Sequence, residues 1–212
     1  MKLMILNVNN LTDARYYAAR GADYLAFKFP NAIDEAPAFL KKVESILEWV
    51  EGVKILLHCN ESNYKLIETL EFPFNIEGYI VPNTAQLTKN IFGTEKKLII
   101  EIVFNRCPTI ETFNKTLAET KGNFPVLLTW ESNVKAFDAL CSEILSNTLW
   151  NTAFENAQRE IYLQIPAHSV NTISLLKFFA FKGVVMSAGE EITIGEKNYD
   201  TEDDFLDALE NI

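Results

Sequence analysis

The chain has no apolar run near the roughly 18 residues that cross a bilayer as a helix, so no membrane association is expected. Its three cysteines, Cys59, Cys107 and Cys141, form no C-x-x-C. They are an odd and sparse set, which excludes a disulfide framework as the basis of the fold. Histidine is almost missing, with His58 and His168 the only two. His58 adjoins Cys59, but neighbours in a strand point to opposite faces. No metal site is expected there, and the cysteines read as buried thiols. Cations are outnumbered, 19 Lys and Arg against 29 Asp and Glu, for a formal charge of −10. That balance repels nucleic acid and makes any small anion depend on a local cluster of amides or cations. With 8 glycines, several of them at helix exits, few positions remain for the backbone-lined loops that cradle phosphate. The opening stretch MKLMILN reaches Asn7 after a short apolar run with no small-residue cleavage site. It reads as a buried strand rather than a leader, and the expected location is the cytoplasm.

What the chain does contain is a repeated pattern. Hydrophobic residues make up 48% of 212, enough for a sizeable core. The frame is set by residues 5–29, where an apolar run ending at Asn7, Asn9 and Asn10 precedes a helical stretch closed by Gly21. A second apolar run, Tyr24 to Phe29, follows after three residues. Strand, helix and strand with short links is the unit of parallel sheet. Further strands are expected at 53–58, 76–81, 97–103, 126–130, 161–165 and 184–187. Pro82 should stop the fourth and Pro166 the seventh. Helices are expected at 11–20, after a polar linker at 31–34 with Phe39 to Val50 at helical spacing, at 62–70, 85–92, from Thr109, at 134–145, near 150–157 and at 170–181. A last one opens with Thr201 as its cap. Strands rich in Val, Ile and Leu with little alternation suit a sheet covered on both faces. Eight units of roughly 25 residues close naturally as a (β/α)8 TIM barrel, expected as one domain over residues 1–212. An open doubly wound sheet would carry a glycine-rich turn after its first strand, and N-V-N-N-L is not one.

Three stretches resemble the phosphoribosylanthranilate isomerase family of tryptophan biosynthesis. Residues 9–29, NNLTDA with AARGADYLAFKF, are similar to the family's opening Thr-Asn-Leu-x-Asp-Ala and Gly-Ala-Asp-x-x-Gly-Phe-x-Phe. Residues 124–139, FPVLLT with KAFDA, are similar to its sixth strand and the loop ending in Phe-Asp-Trp. Residues 184–200, VVMSAGEE with GEKNYD, are similar to its Val-Asp-Val-Ser-Ser-Gly-Val-Glu ending. The resemblance implies an aldose-amine to ketose-amine isomerisation, with a cysteine base at the end of strand one and an aspartic acid at the end of strand six.

Carried over by motif, those two positions are Leu6 and Thr129. Leucine moves no proton, and a threonine hydroxyl is far too weak an acid to replace a carboxylic acid. The implied phosphate cradle also departs. Gln164, Ile165, Pro166 and Ala167 stand where the family has Ser-Gly-Gly, and proline removes a donor. Ser187, Ala188 and Gly189 are the residual phosphate-site positions. Glu101 occupies a place where the family often has lysine, which reverses the polarity of that part of the pocket.

Function in such a barrel sits where strands end. The candidate pocket there is Asn7, Lys28, His58, Glu101, Thr129, Glu131, Gln164 and Ser187. Lys28 and Glu101 lie within apolar strands, where a charge must snorkel, pair or bind something. The reading is a diverged isomerase-like barrel that has lost its reaction and binds a small molecule at the C-terminal mouth, with no cofactor. A working isomerase with substitute residues and a non-catalytic scaffold are the alternatives.

Overall fold

Eight strands follow one another through the chain, with helices between most of them among the described residues, as the repeated apolar runs require. The structure is a computed structural model that describes residues 1–60, 62–63, 67, 70–83, 96–105, 108–120, 122–130, 134–166, 171–189 and 198–212. The elements are β1 (Lys2–Leu6), α1 (Leu11–Ala19), β2 (Tyr24–Lys28), α2 (Ala36–Leu47), β3 (Lys54–His58), β4 (Gly78–Pro82) and β5 (Lys97–Phe104). They continue with α3 (Ile110–Glu119), β6 (Val126–Trp130), α4 (Val134–Ser146), α5 (Thr148–Asn156), β7 (Ile161–Gln164), α6 (Thr172–Phe178), β8 (Gly183–Ser187) and α7 (Asp200–Glu210). The strands run in order from β1 to β8 as a closed barrel, a (β/α)8 fold. The helices expected over 62–70 and 85–92 fall largely outside the described residues. The chain divides into two compact halves, Lys2–Ile102, and Val103–Ile212 with Met1.

In the first half, Asn10 caps α1. Its side chain accepts from the Asp13 amide at 2.7 Å and donates back to the Asp13 carboxylate at 3.0 Å, satisfying an orphan donor of the first turn. Gly21 leaves the helix at φ +79, a conformation that costs glycine little. Gly78 serves a different need, because a Cβ there would meet the Lys97 carbonyl oxygen at 2.0 Å. Glycine lets β4 and β5 approach.

The pairing register decides which side chains face the barrel interior. Met4 pairs with Tyr24, Tyr24 with Lys54, Lys28 with His58, and Pro82 with Glu101. Lys97 reaches the Tyr24 hydroxyl at 3.4 Å across the two intervening strands β3 and β4, which only inward-pointing residues of β2 and β5 can do. Counting by twos, Leu6, Lys28, His58 and Glu101 share that interior face at or near the C-terminal ends of their strands. Pro82 is the last residue of β4 rather than its stop. Its carbonyl can still accept, and the ladder passes on through the Asn83 amide, which donates to Glu101 at 2.9 Å.

In the second half the helices close on an aromatic cluster. The Phe113 ring lies 5.2 Å from Trp150 and 5.1 Å from Phe154, and Phe154 lies 4.8 Å from Phe179 and 5.3 Å from Phe181. This cluster ends α6 early. The helix stops at Phe178, and Phe179 is extended (φ −113, ψ 141), so that Phe179 and Phe181 both turn into the cluster. The expected continuation to Phe181 is corrected by that packing. Likewise α2 ends at Leu47, short of Val50. Thr201 is not the cap of the last helix, because α7 starts at Asp200 and the Asn198 side chain takes the Asp200 amide at 2.7 Å.

Candidate functional site

Strand ends of the first half form a charged cleft. His58 ends β3, and its Nε2–H donates to Glu101 Oε2 at 3.0 Å; the two side chains are 17% and 13% exposed. A carboxylate only accepts, so this bond puts a proton on Nε2. Nδ1 is buried with no hydrogen-bond partner. Glu101 therefore pairs with His58, and Lys28 at the end of β2 is exposed. Lys28, His58, Cys59, Asn60, Pro82 and Glu101 line an open cleft of about 230 Å³. Cys59 is no replacement nucleophile. Burial pushes its thiol far up, and Sγ donates to the Leu57 carbonyl at 3.6 Å. Asn60 is occupied in holding its own turn, accepting from the Ser62 and Asn63 amides.

The motif-derived base position, Leu6, ends β1 and is 2% exposed. Asn7 follows in the left-handed region at φ +58, which asparagine tolerates better than most residues. A second cleft of about 210 Å³ opens beside it, lined by Asn7, Asn9, Lys28 and Lys42 together with Phe27 and Phe39.

The strand ends of the second half differ. Leu128 pairs with Leu163, and Gln164 with Val185, so alternation puts Thr129, Gln164 and Ser187 on one face and Trp130, Ile165 and Met186 on the other. Gln164 Nε2 donates to Ser187 Oγ at 3.1 Å. An open cleft of about 220 Å³ runs over these ends between Trp130, Phe137, Ile165, Pro166 and Met186, with Gln164 and Ser187 at its polar edge. Trp130 stacks on Phe104 at 5.7 Å and meets Phe137 edge-on at 5.9 Å. Two polar atoms here are buried without partners, Trp130 Nε1 and Gln164 Oε1. Ala188 and Gly189 follow β8, half-buried. Glu131, His168 and Cys107 lie outside the described residues.

The structure thus joins His58 to Glu101 and Gln164 to Ser187. Sequence reasoning missed Trp130, Phe137 and Met186 as cleft walls. The available signal was an indole directly after Thr129, at a strand end where a packed core had no need of it. Among the described residues no group of three or more His, Cys, Asp or Glu side chains could hold a metal ion, and no helix is long and apolar enough to cross a membrane.

No protein family's sequence profile matches the chain, and no curated protein matches it by sequence. Solved structures do match. Phosphoribosyl anthranilate isomerase from Thermotoga maritima superposes with a TM-score of 0.72 at 18% identity over 100% of both chains. The isomerase from Thermus thermophilus gives 0.66 at 16% identity over 100% of this chain and 99% of that one. The 3-dehydroquinate dehydratase from Aquifex aeolicus VF5 gives 0.57 at 14%, covering 88% and 90%. Likeness at these identities shows the fold.

Proposed function

We propose that this chain is a diverged phosphoribosylanthranilate isomerase-like barrel that has lost the isomerase reaction and binds a small molecule lacking a phosphate at its strand ends. The observation that carries the reading is Leu6. It sits on the interior face at the end of β1, buried, where the resemblance calls for a proton-transferring cysteine. Thr129 supports it from β6. The apolar cleft walled by Trp130, Phe137, Pro166 and Met186 supports the loss of phosphate. A dianion held against those side chains would forfeit hydration without gaining donors. The two unpartnered atoms, an indole N–H and an amide oxygen, suit a neutral ligand that offers one acceptor and one donor.

Complementation of a tryptophan auxotroph lacking the isomerase is the direct test, with no growth expected. Growth would overturn the reading. Thermal shifts against a metabolite panel should then single out neutral compounds over phosphorylated ones. Stabilisation by the phosphorylated members alone would sink the ligand half.

A second reading, catalysis by substitute residues, is favoured by the His58–Glu101 bond, since a carboxylate-oriented imidazole is a general-base arrangement. It requires that any growth in the complementation assay be abolished by His58→Asn.

A further inference from the structure

At the N-terminal ends of β7 and β8, away from every strand end described above, the second half contains a pocket that the function proposed so far does not use. It has a volume of about 300 Å³, near the lower end of ligand-sized cavities. Its walls are Phe154, Phe178, Phe179 and Phe181, and Arg159 and Asn151 stand among them. Phe178 is 57% exposed and forms an open apolar lip.

Arg159 is the anomaly. Its Nε and Nη1 are buried and have no hydrogen-bond partner. Three other cations at strand starts are matched by carboxylates: Lys2 with Asp23, Lys54 with Glu77 at 2.7 Å, and Lys182 with Glu160 at 2.6 Å. Gln158, left-handed at φ +48, turns the chain after α5 and delivers Arg159 to the pocket instead of to solvent. Burial pulls its guanidinium below the ordinary value, the direction expected of a desolvated cation without an anion beside it. Two buried N–H-bearing nitrogens of a half-buried guanidinium are costly to leave unpaired unless an anion completes them. The Asn151 Oδ1 atom, one turn before Phe154 on the same helix face, is also buried without a partner.

We infer that this pocket binds a small monovalent carboxylate with an aromatic or branched apolar body. The carboxylate completes Arg159, and the body fills the phenylalanine walls. A hydrogen-bond donor on the ligand would serve Asn151. Carboxylate is favoured over phosphate by charge. One guanidinium is present, Glu155 also lines the pocket, and Glu160 is committed to Lys182, so a dianion would meet one cation and nearby negative charge. The competing outcome is that Glu155 swings onto Arg159 and closes the site with the protein's own carboxylate.

Titration calorimetry of the full chain with 3-phenylpropionate, its neutral amide and inorganic phosphate tests the inference. The acid should saturate at millimolar concentration or below, the amide should bind at least about tenfold more weakly, and phosphate should not compete. Arg159→Leu should keep the circular dichroism spectrum, unfold at no lower temperature, and lose the preference for acid over amide. Glu155→Gln should bind the acid as well as the wild type or more tightly. Equal affinity for acid and amide, acid binding unchanged in Arg159→Leu, or no saturable acid binding in both the wild type and Glu155→Gln would overturn it. None of these outcomes depends on what the C-terminal strand ends bind.

Discussion

Among the described strand ends, the first half presents Lys28, His58 and Glu101, three ionisable side chains, and the second presents Thr129, Gln164 and Ser187, none of them ionisable. The supporting walls differ in the same sense. Asn60, Pro82 and a buried thiol surround His58 and Glu101, whereas an indole, a phenyl ring and a thioether surround Gln164. Both halves are built of parallel strands. The contrast teaches that a barrel interior accepts a charge when a partner two strands away reaches it at 3.0 Å, and that it otherwise fills the same level with amides, hydroxyls and aromatic cover.

The largest effect that could break this contrast is catalytic. On the proposed loss of the acid and the base, turnover of phosphoribosylanthranilate by the unmodified protein should lie near background, since each such loss costs about 10²–10⁴-fold. Restoring both positions with Leu6→Cys and Thr129→Asp should not rescue it, because Pro166 and its apolar neighbours supply no phosphate donors. Substantial rescue, measured by product formation in a continuous fluorescence assay, would show that the second half's apolar ends tolerate the phosphate after all.

Stability comes next. Phe113 is fully buried and touches both Trp150 and Phe154. Phe113→Ala should lower unfolding stability by about 3–5 kcal/mol, read by urea titration. Trp49, 67% exposed, is the control, and Trp49→Ala should stay within about 0.5 kcal/mol. Comparable losses at the two sites would mean that the aromatic cluster is not what holds the second half.

A smaller effect sharpens the strand-end comparison itself. His58→Leu or Glu101→Leu alone removes one member of a largely buried polar pair and should cost about 1–3 kcal/mol. The double change should cost less than the sum, because neither partner is then left behind. Gln164→Leu with Ser187→Ala should show weaker coupling, below about 1 kcal/mol, as befits a neutral pair. Equal coupling in the two double-mutant cycles would erase the distinction drawn here.

The smallest effect is alkaline. Burial raises the Cys59 thiol above its ordinary 9.0 and the Tyr79 phenol above its ordinary 10.0. Both groups stay protonated in the fold while the unfolded chain ionises, so stability should be unaffected below about pH 8 and fall as pH rises through those ordinary values. Cys59→Ala should flatten the first part of that fall in a series of urea titrations. An unchanged slope would place the thiol in contact with solvent.

Most of the barrel could be read directly. The strands at β2, β3, β5 and β6 fall within a residue of where their apolar runs lie, and Gly21 takes the left-handed exit expected of it. The misplaced boundaries share a cause. The 175–181 run of Leu and Phe reads as helix to its end, and the α6 stop at Phe178 reflects the room that Phe154 and Trp150 leave for Phe179 and Phe181. Such a vacancy is a property of neighbours remote in sequence. At the candidate site, His58, Glu101, Gln164 and Ser187 were identifiable as polar residues at or near strand ends. Their partners were not, since the sequence raised Lys28 as a possible pair for Glu101 and gave no sign of His58, which lies 43 positions away.

By itself the sequence determined the repeating strand–helix unit, the side-chain alternation within each strand and the absence of acid–base residues at Leu6 and Thr129, because these follow from local periodicity and residue chemistry. Only the tertiary structure decided that Glu101 bonds His58, that Trp130 walls a cleft, and that Arg159 stands unpaired among phenylalanines. Those outcomes depend on which distant side chains arrive within about 3–4 Å of one another, and that is set by register and packing, to which local sequence is blind.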